Sequence, residues 1–241
     1  MRKSHKELIR INRFIAMCGV CSRRKADNLI NDGKISVNNT IVHEVGVKVS
    51  VEDVVCFNGK QIFPEKKRYI ILNKPSGYIT TTNDEKGRKT VMLLIQDSFK
   101  ERLVPVGRLD KETTGLLLFT NDGILAKKMM HPKYLVKKVY DVCLNRNVLE
   151  KDIESIRQGI VLEDGLVHVD KIEYINNSSK NVRIKIHVGK NRIVRRIFEF
   201  FNYRVLKLDR IAYASLTKKK LSTGKWRVLT KSELIHLHRN N

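Results

Sequence analysis

Cysteine is scarce in this chain, and its placement argues against metal and disulfide scaffolds. The 241 residues include four cysteines, of which Cys18 and Cys21 have Cys-x-x-Cys spacing. A zinc site of that kind needs a second such pair or two histidines at matching spacing, and the sequence has neither. We therefore interpret Cys18 and Cys21 as small packing residues at a helix end. We expect no metal site and no disulfides.

Long apolar segments are also lacking. No stretch approaches the roughly 20 apolar residues of a transmembrane helix, and no lipidation signal or basic amphipathic anchor is present. Residues 1–7 lack the apolar core of a secretory signal. From these absences we expect a cytoplasmic protein with no membrane partner. A glycine-rich nucleotide-binding loop is lacking as well, so we expect no cofactor.

Acidic residues are few relative to basic ones. The chain has 25 Asp and Glu against 48 Lys and Arg, which gives a net charge of +23. Solubility alone does not require such an imbalance, so the charge predicts a polyanionic partner. The hydrophobic content of 41% indicates a folded chain, and the length suits one large domain or two smaller ones.

The N-terminal segment predicts two basic helices followed by short strands. Helical spacing of apolar residues defines the first helix: Ile11, Phe14, Ile15 and Cys18. Gly19 ends this helix, Ser22 is placed as the N-cap of a second, and Asp32-Gly33 ends that one. Strands are then predicted at Ile35–Val37 and Val54–Phe57, with a hairpin turn at Asn58-Gly59.

A polar stretch at residues 63–68 separates this segment from the rest and is the best candidate for a linker. The domains are therefore expected at residues 10–62 and 69–241. Beyond the linker, runs of apolar or alternating residues predict four main strands: 69–72, 116–119, 137–144 and 182–188. Helical patterns alternate with them at 124–130, at 148–157 and after Arg192, and Thr230 with Glu233 predicts a capping box. The pattern does not decide whether residues 90–95 form a short helix or a strand.

Asp110 is a lone carboxylate on a loop that leads into a buried strand. From the pattern alone we favour a surface ion pair with Arg108, since perturbed acids are more often structural than catalytic. The segment from Arg183 to Lys220 is strongly basic, with twelve Lys and Arg against two acids. Its charges are interleaved with apolar residues, which is typical of a shaped anion-binding surface.

Several motifs resemble those of the RsuA-type family of ribosomal RNA pseudouridine synthases. The central one is Gly-Arg-Leu-Asp at residues 107–110, followed by the Thr-x-Gly-Leu-Leu-Leu-x-Thr-x-Asp-Gly pattern that ends at Gly123. Lys-Pro-x-Gly at 74–77, Lys-x-Tyr at 138–140 and Gly-x-Asn-Arg-x-Val-Arg-Arg at 189–196 match in order. The resemblance leans toward the family members of the large ribosomal subunit, in particular the B type.

The resemblance implies roles for three residues. Asp110 corresponds to the catalytic carboxylate, and Arg195 to the arginine that forms a salt bridge with it. Tyr140 corresponds to the tyrosine that lines the active site, although from its pattern alone core packing is the better interpretation. Whether the carboxylate attacks the ribose or assists formation of an unsaturated sugar is left open.

The resemblance also implies where RNA binds. The N-terminal helices resemble the S4-like (αL) RNA-binding domain. The candidate RNA contacts there are Arg13, Arg23, Arg24 and Lys34. In the remainder of the chain the candidates are Arg108, Asn191, Arg192 and Arg196. The implied fold is α+β: this small domain followed by a catalytic domain built on a mixed, mainly antiparallel sheet with flanking helices.

The resulting hypothesis is a cofactor-free rRNA pseudouridine synthase that acts on 23S rather than 16S rRNA. Its partner is then ribosomal RNA, either naked or within an assembling subunit, and a monomer is expected. A non-catalytic RNA-binding assembly factor is the alternative that charge alone supports equally well. A metal-dependent nuclease is a third possibility, but it needs clustered carboxylates, and Asp110 has only Glu112 nearby.

Overall fold

The computed structural model describes residues 8–176 and 178–239, and the chain forms two compact units, Met1–Lys67 and Arg68–Asn241. Residues 1–7, in which no secretory signal is expected, lie outside the described residues. Each unit has its own apolar core, one built around Ile11, Ile15 and Ile30 and the other around the strands of a large sheet.

The first unit contains two short helices and six short strands within the described residues. In chain order they are β1 (Ile9–Arg10), α1 (Ile11–Met17), α2 (Arg23–Asn31), β2 (Ile35–Val37), β3 (Thr40–Ile41), β4 (Lys48–Val49), β5 (Val55–Phe57) and β6 (Lys60–Gln61). An antiparallel sheet has the order β3-β2-β5-β6, and β1 pairs with β4. Both predicted helices and both predicted strands of this segment are confirmed.

Local signals determine the helix ends in this unit. The Ser22 hydroxyl accepts a hydrogen bond from the backbone N–H of Lys25 at 3.2 Å, as expected for an N-cap. Gly19 and Gly33 follow the two helices with φ of 75° and 66°, the left-handed conformation that ends many helices. The hairpin at Asn58-Gly59 is also confirmed, with φ of 49° and 76°.

The second unit begins with β7 (Tyr69–Lys74). It continues with β8 (Val104–Val106), β9 (Thr114–Thr120), α3 (Gly123–Met130), β10 (Lys138–Leu144), α4 (Glu150–Gln158), β11 (Ile160–Leu162), β12 (Gly165–Val167), β13 (Lys171–Ile175), β14 (Ser178–Ile186), α5 (Ile193–Phe200), β15 (Val205–Tyr213), β16 (Leu216–Thr217), β17 (Trp226–Val228) and α6 (Lys231–Arg239). The segment whose type was open forms a 3-10 turn, Val91–Leu94.

Over the described residues, nine of these strands form a single sheet. Its main order is β13-β14-β10-β15-β9-β7-β17, with β8 on β9 and β16 on β15. β9 and β15 run parallel, whereas the other neighbouring pairs run antiparallel. The predicted mixed, mainly antiparallel sheet with flanking helices is therefore confirmed.

Both faces of the central strands are buried, which explains their continuous apolar sequences. Alternate residues of β7 and β9 join two hydrophobic clusters, one with Ile70 and Leu117 and the other with Ile71 and Leu118. Helices α4 and α5 contribute to the first cluster, and α3 and α6 to the second. In β10 buried and half-buried residues alternate as predicted, with Tyr140, Val142 and Leu144 buried.

Gly115 allows the parallel pairing of β9 with β15. It is in register with Arg210 and has φ of 103°, and a Cβ atom there would lie 2.3 Å from the Arg210 backbone oxygen. No side chain fits that distance, so this position requires glycine.

We therefore expect Gly115→Ala to lower the free energy of unfolding by about 3 kcal/mol or more, because it combines a backbone clash with an unfavourable φ. Urea unfolding measures the change. Gly123→Ala is the matched control, since a Cβ there meets no atom within 4 Å, and its effect should stay within about 0.5 kcal/mol. Equal stability of the two variants would contradict the close approach.

Candidate active site

Asp110 lies on the loop between β8 and β9, and hydrogen bonds hold the backbone on both sides of it. The Thr80 hydroxyl donates to the Leu109 carbonyl at 2.8 Å and accepts from the Leu109 N–H at 3.2 Å. The Thr113 N–H donates to the Asp110 carbonyl at 3.1 Å. The carboxylate thus projects from a fixed backbone, as a reacting group must.

Lys74 also fixes this loop, through hydrogen bonds to its backbone. Its side chain is fully buried, and its Nζ donates to the carbonyl oxygens of Pro75, Lys111 and Thr113 at 3.0, 3.1 and 2.7 Å. Burial lowers the pKa of Lys74 to about 8, although the nearby Glu112 and Asp110 act to raise it. The sequence predicted a structural turn at this motif but did not identify the lysine side chain as its central element.

Arg195 projects from α5 toward the Asp110 carboxylate. Its Nε lies 3.9 Å from Asp110 Oδ2, and its Nη1 donates to the Val205 carbonyl at 3.1 Å. The Arg195 side chain is 12% exposed and that of Asp110 is 39% exposed. The guanidinium is therefore mostly enclosed by protein, whereas the carboxylate is accessible to solvent. The buried Nε has no hydrogen-bond partner, so the two charges are close without forming a direct hydrogen bond.

A cleft of about 420 Å³ opens in front of Asp110. Tyr140, which is 8% exposed, forms part of its wall. Of the predicted RNA contacts, Arg108, Asn191 and Arg192 also line this cleft. Arg195 does not line it and reaches the site through its ion pair with Asp110. The structure therefore brings the three residues predicted to be catalytic to one place.

Two of the predicted RNA-binding arginines are already engaged by carboxylates. Arg196 makes paired hydrogen bonds to Asp164 at 2.9 and 2.7 Å, and these bonds, with Lys190, hold the pKa of Asp164 well below its usual range. The Nη2 atom of Arg192 lies 3.2 Å from Oε1 of Glu199. Contact of these side chains with RNA stays a prediction.

Two cations of the cleft, the half-buried Lys138 and the buried Arg210, were not predicted from the sequence. Lys138 and Arg210 both line it, on the same face of the sheet as Tyr140. For Lys138 a signal was present, because residues two apart on a strand point to the same face. Arg210 could not be assigned in this way, since its strand pairs with β10 only through long-range contacts.

In the first unit, the predicted RNA contacts lie at or near the surface. Arg23, Arg24 and Lys34 are exposed or partly exposed, and Arg13 is half-buried. The Arg23 guanidinium donates to the Asn12 side-chain oxygen at 3.4 Å, and Lys34 lies 3.6 Å from Asp32. Their roles in RNA binding stay predictions.

Residues 8–176 and 178–239 contain neither of two other classes of site. In that part of the chain, no group of three or more His, Cys, Asp or Glu side chains is placed to hold a metal ion. None of its helices is long and apolar enough to cross a membrane.

Comparisons with known proteins agree with this arrangement. Residues 68–200 match the family model for RNA pseudouridylate synthase, and residues 9–55 match that for the S4 domain. A protein of Aquifex aeolicus named as an uncharacterized RNA pseudouridine synthase is 45% identical over 233 residues, which cover 95% of this chain and 93% of the relative. Ribosomal large subunit pseudouridine synthase B of Bacillus subtilis is 42% identical over 236 residues, or 95% of each chain. A crystal structure of a pseudouridylate synthase aligns with a TM-score of 0.70 at 29% identity, covering 95% of this chain and 99% of the other.

Proposed function

The chain belongs to the RNA pseudouridylate synthase family, and on that premise we propose that Asp110 is its catalytic carboxylate and large-subunit ribosomal RNA its substrate. Family membership makes it an enzyme that isomerises uridine in RNA, with an S4 domain that binds RNA. The observation that carries the assignment of Asp110 is its ion pair with Arg195, beside a cleft lined by Tyr140.

Isomerisation requires a group that acts at the sugar while the base is detached. The C1′–N1 bond breaks, the uracil turns, and a C1′–C5 bond forms, with no net oxidation and no group lost. A carboxylate next to C1′ serves either by forming a bond to that carbon or by assisting loss of the C2′ proton. Asp110 is partly exposed at the cleft, so a flipped nucleotide reaches it without a change in the backbone.

Arg195 and Tyr140 have supporting roles in this proposal. The Arg195 guanidinium attracts the carboxylate and limits its orientations, because its Nε lies 3.9 Å from Asp110 Oδ2. The Tyr140 ring provides the flat surface on which the flipped uracil stacks. Flipping the base from folded RNA costs a few kcal/mol, which contacts between basic side chains and phosphates offset.

The choice of ribosomal RNA rests on two supports, of which only the first favours the large subunit. One is the 42% identity, over nearly the whole length, to the Bacillus subtilis protein named for that subunit. The other is the net charge of +23, which suits an extended contact with folded RNA rather than with a short segment.

Tritium release tests the substrate proposal. Transcripts of 23S and of 16S rRNA are labelled with uridine carrying tritium at C5, which is lost to water when the C1′–C5 bond forms. The assay contains a chelator and responds to modification at any uridine. Release from 23S alone supports the proposal, and release from 16S alone contradicts it. Binding to both without release from either would favour an assembly factor over an enzyme of rRNA.

A further inference from the structure

We propose that Lys138 and Arg210 form a cationic subsite that binds the uracil base and stabilises its negative charge while it is detached from the ribose. This inference rests on the proposed function, because it concerns the same cleft and the same reaction. It adds two residues that act on the base, whereas Asp110 and Arg195 act at the sugar.

The register of the sheet places the two cations around Tyr140. On β10, Lys138 and Tyr140 are two residues apart and share a face. Across the strand pair, Tyr140 is opposite Arg210 and Lys138 is opposite Tyr213, with an irregularity in the register between Val139 and Tyr140. Directly opposite residues of an antiparallel pair also share a face. All four side chains line the cleft, and Tyr213 also packs in the second hydrophobic cluster.

Arg210 has an unused donor in this wall. The residue is only 2% exposed, its Nε donates to the Leu116 carbonyl at 2.8 Å, and its guanidinium carbon lies 4.6 Å from the centre of the Tyr213 ring. The buried Nη2 has no hydrogen-bond partner. A buried donor without a partner is destabilising, so an acceptor supplied by a ligand would remove that cost.

Lys138 is a second, half-buried cation that has N–H donors available. Its Nζ donates to the His187 carbonyl at 2.9 Å, which uses one of the ammonium's N–H groups. Burial and the adjacent Arg210 lower the pKa of Lys138 to about 8, against an opposing effect of Asp170. The other titratable and charged groups of the cleft wall are Arg108, Asp110, Tyr140, Lys190, Arg192 and Tyr213. Two like charges held together in a buried wall create a strong preference for an anion.

Position and hydration favour the base over a phosphate as the occupant. The pair flanks Tyr140, against which the uracil lies in the proposed function, so the carbonyl oxygens of the base come within reach. The buried Arg210 and the half-buried Lys138 have lost part of their hydration, which suits a delocalised anion better than a strongly hydrated phosphate. Arg108 is exposed and also lines the cleft, and so is better placed for the backbone phosphates.

The chemistry creates such an anion. When the C1′–N1 bond breaks, its electron pair stays on the base and is shared by N1 and the two carbonyl oxygens. When C5 attacks C1′, a pair from the base forms the new carbon–carbon bond. If Asp110 has bonded to C1′, that bond breaks and its electron pair returns to the carboxylate; if an unsaturated sugar has formed, the proton taken from C2′ is returned to it. C5 then loses its proton and N1 gains one, so no proton is taken up overall. Cations close to the oxygens lower the energy of the detached state and of the transition states on either side of it.

The test is the single-turnover rate of tritium release at saturating rRNA, measured from about pH 6.5 to about pH 9. Lys138→Met should slow release ~100-fold at neutral pH, the effect of removing one well-placed charge donor. In the wild type the rate should fall as the pH rises through about 8, because Lys138 then loses its proton. Lys138→Arg should keep the activity and show a smaller alkaline decline, because only Lys74, whose pKa is also lowered to about 8, then loses its proton in this range. Arg210→Lys should slow release ~10-fold. The variant keeps the positive charge but loses the Nη2 donor that arginine directs into the cleft.

Lys137→Met is the matched control, since it makes the same change at the neighbouring, exposed residue, and it should leave the rate unchanged. Thermal melting shows that each variant is folded, and recovery in Lys138→Arg excludes a packing defect. The affinity for RNA and its salt dependence should match the wild type in Lys138→Met. The inference would be overturned if Lys138→Met had a normal rate but bound RNA more weakly, with the slope of log affinity against log salt concentration reduced by about 1. That result would mean that Lys138 contacts a phosphate.

A normal rate and a normal affinity in Lys138→Met would overturn it as well. Failure of the proposed function gives a different result, in which Asp110→Asn still releases tritium, and in that case both proposals fall. If Asp110→Asn is inactive and Lys138→Met is unaffected, the proposed function stands and only the inference about the base is wrong.

Discussion

Asp110→Asn is expected to reduce the single-turnover rate of pseudouridine formation at least ~10⁴-fold, since removing the reacting group of a concerted site has effects of this size. The amide keeps the shape of the side chain and its place on the loop held by Thr80 and Lys74. What it loses is the negative charge and the second carboxylate oxygen, which in the proposed reaction act at the sugar. Affinity for RNA should stay within a few-fold of the wild type, as measured by filter binding, or improve slightly.

Glu112→Gln is the matched control for this change. It converts a carboxylate to an amide two residues away, at an exposed side chain that accepts a hydrogen bond from Ser76 Oγ at 2.6 Å. We expect its rate to remain close to that of the wild type. If Glu112→Gln lost as much activity as Asp110→Asn, the general charge of the loop would be responsible, and Asp110 would have no special role.

Arg195→Ala is expected to slow turnover by ~10²–10³-fold, the range seen when one electrostatic partner of a reacting group is removed. Arg195 is the cation paired with Asp110, at 3.9 Å, and its side chain is largely enclosed. Without it the carboxylate loses its neighbouring cation and can turn toward solvent. The cleft is not lined by Arg195, so RNA affinity should change little.

Two comparison variants make the Arg195 result specific. Arg195→Lys keeps the positive charge and should retain more activity than the alanine variant, although lysine cannot also reach the Val205 carbonyl with the same fork geometry. Arg204→Ala removes an exposed arginine from the same region and should leave the rate unaltered. A loss of RNA affinity in Arg195→Ala as large as its loss of rate would show a binding role instead.

Much of the fold follows from short-range patterns. The cap at Ser22, the left-handed residues Gly19 and Gly33 and the alternation of β10 depend on neighbours a few positions away, and each was predictable. The capping box is confirmed as well, because Thr230 and Glu233 exchange hydrogen bonds between backbone and side chain. These signals do not determine which strands lie next to each other.

What could not be predicted depends on contacts between distant parts of the chain. The close approach that requires Gly115 is visible only once β15 lies parallel to β9. Lys74 appears in the sequence as one residue of a turn, and its role comes from carbonyl groups nearly forty positions away. The place of Arg210 in the cleft could not be predicted for the same reason, because it depends on the pairing of β15 with β10. The pairing of Asp110 with Arg195 was expected only from family resemblance, because from local pattern alone the nearer Arg108 was the favoured partner.

The most direct test of the account is to map pseudouridine in 23S rRNA after incubation with the purified protein. Unmodified transcript is treated in chelator, derivatised with carbodiimide and read by primer extension, which stops next to each pseudouridine. We predict a new stop at one uridine that is present with the wild type and with Glu112→Gln and absent with Asp110→Asn. The account is contradicted if no stop appears although the RNA is bound, or if the stop persists in Asp110→Asn.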